Sequence, residues 1–236
     1  MKKFDAIIIG SGQAGTPLVF DLASRGKKVA FIEKTKVGGT CLNVGCTPTK
    51  TYVASARRMW DIAHSNDLGV DFNGEFKANM KKIKQRKDDL IKTSTDGIES
   101  ALKSHKNIDF IEGAAHFISD YIVEVNGDKI TAPQIFINVG GRPFIPKEYD
   151  TVPYLTNRNI LDLTELPEHL IIVGGSYIGL EFGQMFKRFG AKVTIIERGD
   201  AIIAREDKDV SQSITEFFKE EDINIVFNAQ QIELKK

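Results

Sequence analysis

Residues 38–50 read GGTCLNVGCTPTK and hold both cysteines of a 236-residue chain, at positions 41 and 46. Two thiols this close in sequence can cycle between dithiol and disulfide, or they can ligate a metal. In a reducing cytosol a purely structural bridge is the weaker reading. The four histidines, at 64, 105, 116 and 169, stand at no ligand spacing to each other or to the thiols, so no metal site is expected. A disulfide needs its Cα atoms roughly 4.4–6.8 Å apart. Five residues of regular helix rise about 7.5 Å. The pair can therefore bridge only if the helix is interrupted between them, and Asn43 and Gly45 are poor helix formers at that place. The glycines ahead and Thr47-Pro48 behind set the pair at the mouth of a helix expected over 47–64. A positive helix N-terminus favours the reactive thiolate.

Such a pair needs a partner that delivers electrons, and the flanking sequence supplies candidates. Residues 6–34, AIIIGSGQAGTPLVFDLASRGKKVAFIEK, align without a gap on residues 170–198, LIIVGGSYIGLEFGQMFKRFGAKVTIIER. Gly10, Gly15, Gly26, Val29 and Glu33 fall on Gly174, Gly179, Gly190, Val193 and Glu197. Each segment reads as a strand buried on both faces, a glycine-rich turn, a helix, a second strand and an acid. That is the dinucleotide-binding βαβ unit, present twice. Gly10 permits the tight turn, Gly12 the close approach of a pyrophosphate, and Gly15 the packing of helix on strand. The pyrophosphate then sits on a helix N-terminus. Glu33 and Glu197 end the second strands, where a carboxylate can hold ribose hydroxyls. In the second unit Ser176 replaces the middle glycine. The candidate contacts are Gly10, Ser11, Gly12, Ala14, Gly15, Glu33 and Lys34 in one unit and Gly174, Ser176, Tyr177, Ile178, Gly179, Glu197 and Arg198 in the other.

The intervening residues are expected to add a long helix over 76–104, with Phe76, Met80, Ile83, Leu90, Ile98 and Ala101 as its apolar stripe, broken near Lys87 and Ser94. Residues 108–139 read as a small antiparallel meander of short β-rich runs with turns at Ser119-Asp120 and Asn126-Gly127. GGRPFIPKEYDTVP, 140–153, reads as a linker. The expected fold is α/β: two Rossmann-like dinucleotide-binding units, parallel sheet with helices, plus the meander. The expected domains are 1–150 and an incomplete 151–236.

Composition excludes other classes. Lysine plus arginine number 32 and aspartate plus glutamate 32, a balance that calls for neither nucleic acid nor an anionic membrane. The basic run KKIKQRK, 81–87, is read as a solvated helix face. The opening apolar run is interrupted by Asp5 and ends at Gly10, too short for a signal segment or a membrane span. A soluble cytoplasmic protein is expected.

GSGQAG, GGTCLNVGCTPTK, GGRP and GGSYIGLEFG followed by VTIIER together resemble the class I pyridine nucleotide-disulfide oxidoreductases. That family includes glutathione reductase, dihydrolipoamide dehydrogenase and mercuric reductase, and the NVGCTPTK form is similar to the mercuric-reductase-like branch. The resemblance implies a relay from a nicotinamide nucleotide (NAD, with NADP possible) through FAD to the Cys41–Cys46 disulfide, and on to a small-molecule disulfide or mercuric-type acceptor. It implies FAD on the first unit, with Glu33 on its ADP half, Gly39 and Thr40 at the pyrophosphate, Gly113 and Ala115 at the adenine, and Gly140 nearby. Cys46 becomes the charge-transfer thiolate, Cys41 the interchange thiol, Lys50 and Glu181 an ion pair beside the flavin, and Tyr177 the lid displaced by nicotinamide. The chain departs from the family's usual Ala-Thr-Gly at Asn138-Val139-Gly140. It also runs to about half the family's length, without the C-terminal interface domain that carries a catalytic His-Glu pair and most of the homodimer contact. A truncated, non-catalytic nucleotide-binding fragment is the alternative, and a flavin transhydrogenase or oxidase without a dithiol step a third.

Overall fold

The computed structural model describes residues 1–149 and 152–234, so the expected domain boundary at 150–151 and that part of the linker lie outside the described residues. The chain divides into two compact units, Met1–Pro48 with Asp88–Pro143, and Thr49–Lys87 with Phe144–Lys236. The segment Thr49–Lys87, expected with the first dinucleotide unit, thus belongs to the second.

The first unit contains β1 (Lys2–Lys3), β2 (Ala6–Ile9), α1 (Gly15–Ser24), β3 (Val29–Glu33) and α2 (Gly39–Val44). Next come α3 (Cys46–Ala63) and α4 (Met80–Ser104), two helices that each pass from one unit into the other. It continues with β4 (Ile108–Glu112), β5 (Ala115–Ser119), β6 (Ile122–Val125), β7 (Asp128–Thr131) and β8 (Ile135–Ile137). Four strands form a parallel sheet in the order β4-β3-β2-β8. Its AIII run, and VAFIE up to the closing Glu33, are apolar because both faces are covered. Ala6, Ile8, Val29 and Phe31 pack with Val19 and Ala23 of α1 and Leu102 of α4. Ile7, Ala30 and Ile32 pack under Val123, Val125 and Ile130 of the meander.

The meander is smaller than expected. Only β5, β6 and β7 run antiparallel, with β1 added in parallel at the edge. IDFIE and IFI join the parallel sheet instead, as β4 and β8. They do so because residues on both their faces find apolar cover, which a two-layer hairpin could not give. The Asn126-Gly127 turn is as expected: both residues are left-handed, φ 53° and 83°, as a two-residue type I′ hairpin demands.

The second unit adds β9 (His169–Val173), α5 (Tyr177–Phe189), β10 (Lys192–Ile196), α6 (Lys208–Glu220) and β11 (Asn224–Val226). Its parallel sheet runs β11-β10-β9. One face packs on α5 and α6 through Leu180, Phe186, Val193, Ile195 and Phe218. The repeat shows what the other face lacks. Ile7, fully buried under the meander, corresponds to Ile171, which is 57% exposed. Among the described residues no strand covers that face.

Helix α4 begins at Met80, not 76, and Leu90 and Ala101 of the expected stripe face solvent while Leu102 is buried. The break in the stripe at Lys87 has a cause. Lys87 is 5% exposed, not a solvated residue, and its Nζ donates to Asp162 Oδ1 at 2.8 Å and to the Leu161 carbonyl at 3.2 Å. The Leu161 carbonyl also accepts from the buried Tyr52 hydroxyl at 2.8 Å. Removing the ammonium strips a buried carbonyl of a donor and leaves space where the stem packed. Lys87→Ala is expected to destabilise the protein by about 2 kcal/mol, read as a lower urea midpoint at constant slope. An unchanged midpoint would mean that the ion pair contributes nothing.

Candidate dinucleotide sites and redox pair

In the first unit the chain leaves β2 through Gly10, at φ +102° in the left-handed region that favours glycine. A Cβ there would lie 2.3 Å from the Asn138 carbonyl oxygen, and one on Gly15 would lie 2.0 Å from the Gly10 oxygen. Gly39 crosses over the turn so closely that its Cβ would come within 2.6 Å of the Gly12 Cα. Gly12 itself is different: a Cβ there meets no atom within 4 Å. The turn is thus tight on its protein side and open where backbone N–H groups reach the N-terminus of α1. That cradle fits a pyrophosphate, on chemistry the residues themselves supply.

Glu33 closes the turn from below. Its carboxylate accepts from the Ser11 N–H at 3.0 Å, the Ser11 hydroxyl at 2.7 Å, the Thr35 N–H at 2.9 Å and the Thr35 hydroxyl at 3.0 Å. Burial pushes its acid group up, but these four donors outweigh it and hold it below the ordinary carboxylate value. Lys34, Ala14 and Thr40 are exposed at the rim. Gly113 donates its N–H to the Glu33 carbonyl at 2.9 Å, and a Cβ on it would strike Asn126 Oδ1 at 2.5 Å. Ala115 opens β5, and Gly140 is left-handed at φ +67°.

The second turn repeats this wiring. A Cβ on Gly179 would lie 2.2 Å from the Gly174 oxygen, as with Gly15 and Gly10. Glu197 accepts from the N–H of Gly175 at 2.7 Å and of Gly199 at 2.9 Å, the positions equivalent to Ser11 and Thr35. The sequence comparison missed this clamp, although the offset between the repeats carries it. The difference is chemical. Glycines replace the two hydroxyl residues, so Glu197 retains acceptor capacity that Glu33 spends on Ser11 and Thr35. Ser176, at the N-cap of α5, makes no side-chain cap bond. Tyr177, Ile178 and Arg198 are exposed beside it.

The two thiols lie on either side of a helix break. Cys41 is in α2 and Cys46 opens α3, with Gly45 between them at φ −127° and ψ −119°. A Cβ on Gly45 would lie 2.8 Å from the Thr40 oxygen and 3.1 Å from the Cys41 Cα, both backbone atoms. Asn43 pins the short helix by donating to the Val37 and Gly39 carbonyls, each at 2.9 Å. Asn43 was expected only as a bend former; its clamp needed the folded loop. Both cysteines are free thiols here. Burial, then the hydrogen bond and charge contact with Cys46, push the Cys41 thiol up. An upward shift lowers the thiolate fraction at every pH below it. In the reduced protein Cys41 is therefore expected to react with iodoacetamide more slowly than a free cysteine at pH 7.5, its rate still climbing beyond pH 9, as site-resolved mass spectrometry would read. Alkylation at the free-cysteine rate would contradict the shift.

One helical turn after Cys46, Lys50 of α3 forms an ion pair with Glu181 of α5. Tyr177 precedes Glu181 by one turn on α5, and it is 69% exposed.

Residues 4–236 match the family model described as pyridine nucleotide-disulphide oxidoreductase. The chain belongs to this family. It is 35% identical over 235 residues to a dihydrolipoyl dehydrogenase of Acholeplasma laidlawii, spanning 97% of this chain and 70% of that one. It is 34% identical to a mercuric reductase of Bacillus cereus, spanning 96% of this chain and 36% of that one. A solved structure, the Cu(II) complex of the HOCl-induced flavoprotein disulfide reductase RclA from Escherichia coli, superposes with a TM-score of 0.85 at 36% identity, covering 99% of this chain and 51% of that one. Against the reductase RclA the chain thus spans about half the length. Membership in this oxidoreductase family implies a flavin and a pyridine nucleotide. Among the described residues no helix is long and apolar enough to cross a membrane.

Proposed function

We propose that this chain forms the FAD- and nicotinamide-binding part of an enzyme that passes hydride from NADH through FAD to a Cys41–Cys46 disulfide, and thence to a disulfide or mercuric-type acceptor. One observation carries the reading: two glycine turns with the same acid clamp, Glu33 on positions 11 and 35 and Glu197 on positions 175 and 199, are joined by a chain holding a dithiol at a helix break. The FAD site falls to the unit Met1–Pro48 with Asp88–Pro143, and the nicotinamide site to the unit that joins Thr49–Lys87 to Phe144–Lys236.

FAD, when bound, supplies hydride acceptance from the nicotinamide and electron delivery to the disulfide. The turn Gly10–Gly15 with Gly39 and Thr40 holds its pyrophosphate. Glu33 takes its ribose once the Ser11 and Thr35 hydroxyls turn aside. The backbone at Gly113 and Ala115 meets its adenine, with Gly140 nearby. Gly174, Ser176, Ile178 and Gly179 do the same for the nicotinamide dinucleotide, with Tyr177 as the displaceable side chain. Lys50, held by Glu181, places a fixed positive charge one helical turn beyond Cys46.

With an acceptor disulfide, the Cys41 thiolate attacks one sulfur and the first product leaves as a thiol after taking a proton. Cys46 then attacks the Cys41 sulfur and releases the second product thiol. The Cys41–Cys46 disulfide is restored, and the two electrons now reside in the product thiols. The raised Cys41 thiol needs a base to take its proton, and that base, once protonated, returns the proton to the leaving thiolate. The complete protein is placed in the cytoplasm as a homodimer.

The test is thiol counting on air-oxidised protein before and after dithiothreitol, with FAD binding followed by quenching of flavin fluorescence. No free thiols before, two after, and quenching on FAD addition are expected. Two free thiols in the oxidised protein would remove the redox pair. The nucleotide preference rests on Glu197. Its two unfilled acceptor positions suit a ribose diol and repel a 2′-phosphate, against which Arg198 is the opposing cation. NADH is expected to bind about tenfold more tightly than NADPH, or roughly 1.4 kcal/mol. Tighter NADPH binding in a direct titration would reverse the assignment.

A further inference from the structure

Between β10 and α6 the chain turns back against the second dinucleotide turn. Ile202 is fully buried there, and a Cβ on Gly175 would lie 2.6 Å from its Cγ2. The next residue, Ile203, is left-handed at φ +40°. That region is costly for a β-branched side chain, and such a residue stays in it only where the surrounding structure over-determines it. Hydrogen bonds do so here. The Ile203 N–H donates to the Gly175 carbonyl at 2.9 Å, the Glu206 N–H to the Ile203 carbonyl at 2.9 Å, and the Ser211 hydroxyl of α6 to the Ile202 carbonyl at 2.8 Å. The first unit makes the same contact with a different residue. Ser11, equivalent to Gly175, accepts at its carbonyl from the Gly38 N–H at 3.1 Å, and Gly38 is left-handed at φ +93°. Glycine adopts that conformation freely. The second unit does the same work with an isoleucine, in which the conformation is strained.

We propose that Ile203 is a positioning residue of the second dinucleotide site: its N–H holds the Gly175 carbonyl so that the Ser176 N–H, on the other side of the same peptide, is aimed at the dinucleotide pyrophosphate. The inference rests on the reading of that turn as the nicotinamide site. A trans peptide is planar, so its C=O and N–H point in opposite directions. With the carbonyl drawn to Ile203, the Ser176 N–H points away from the loop, and among the described residues it meets no protein acceptor. Ser176 is exposed and stands at the N-cap of α5, whose N-terminus favours an anion. The clamp is needed because Gly175 has no side chain to stop the peptide from turning over. A turned peptide would present its carbonyl oxygen to the phosphates. The Gly175 N–H is held separately by Glu197 at 2.7 Å, so both peptides of the turn are fixed before any ligand arrives. Binding then bears no cost of ordering them.

The experiment titrates NADH into full-chain wild type, Ile203→Gly and Ile203→Pro, each below its ligand-free melting transition, and follows the Ser176 amide by NMR in protein carrying isotope-labelled serine. Ile203→Gly keeps the N–H and accepts the left-handed backbone. Proline is locked at φ of about −65° and has no N–H, so the loop must release Gly175. Ile203→Pro is expected to bind NADH about tenfold to a hundredfold more weakly, one charge-assisted bond being lost, while Ile203→Gly stays close to wild type. The wild-type Ser176 amide should move downfield when NADH binds. Wild-type affinity in Ile203→Pro overturns the proposal. Equal loss in Ile203→Gly and Ile203→Pro makes the isoleucine side chain the cause, and overturns it as well. A Ser176 amide that stays in place on NADH binding overturns it without any variant, and so decides the matter even where Ile203→Pro does not fold. A wild type that binds no NADH removes the nicotinamide reading, and this inference with it.

Discussion

Replacing Gly12 by tryptophan is expected to weaken FAD binding by more than about a hundredfold, roughly 2.7 kcal/mol, while the ligand-free protein melts close to wild type. The two halves of that expectation have one source. A Cβ at Gly12 meets no protein atom within 4 Å, so a side chain there starts into open space without striking the backbone. The same open space is where a pyrophosphate would approach the backbone of the turn, and the ring would fill it. Few substitutions separate folding from binding so cleanly. Gly10→Trp or Gly15→Trp would not, because their Cβ atoms would strike backbone oxygens at 2.3 and 2.0 Å. Flavin fluorescence quenching with a parallel thermal scan reads both quantities. Equal FAD affinity in wild type and Gly12→Trp would show that this turn does not carry the flavin nucleotide. Ser176→Trp is the matching change in the second unit, read with NADH.

The second large effect is expected at Gly45. Gly45→Val places a Cβ against the Thr40 oxygen and the Cys41 Cα, neither of which can move without opening the junction of α2 and α3. Opening that junction carries Cys41 away from Cys46. The equilibrium constant for disulfide formation, measured against a glutathione redox buffer, is expected to fall at least about tenfold, roughly a 30 mV shift for a two-electron couple. Gly45→Ala should fall in the same direction, since the first carbon makes the contact. An unchanged equilibrium in Gly45→Val would mean that the break is not what brings the thiols together. Thr40 is itself assigned to the cofactor pyrophosphate, so the control for correct folding is the thermal unfolding midpoint of the reduced protein, not FAD affinity.

Much of this was legible in the residues because it depends on local geometry. Left-handed Gly10 and Gly174, the small residues at 15 and 179, and the acids at 33 and 197 follow from what a strand–turn–helix around a phosphate requires of each position. The interruption between Cys41 and Cys46 follows from helix rise against disulfide reach. The Asn126-Gly127 hairpin follows from turn type. Each depends on neighbours a few residues away, and the repeat states most of them twice.

What the tertiary structure decided is what separation in sequence hides. Short apolar runs at 108–112 and 135–137 satisfy a hairpin or a central strand equally well; only cover on both faces sends them into the parallel sheet. Lys87 reads as one more cation in a basic run until the Leu161 carbonyl and Asp162 meet it in a buried setting. Thr49–Lys87 sides with the second unit because Tyr52, Ala56 and Met80 bury their surface in the core around Phe186 and Phe189, distant in sequence. Asn138 reads as a loop residue until β8 pairs beside β2 and sets its carbonyl oxygen against Gly10. Period, turn chemistry and spacing act over a few residues and so are written in the chain. Burial is a property of whichever distant surfaces pack together, and only the folded chain fixes those.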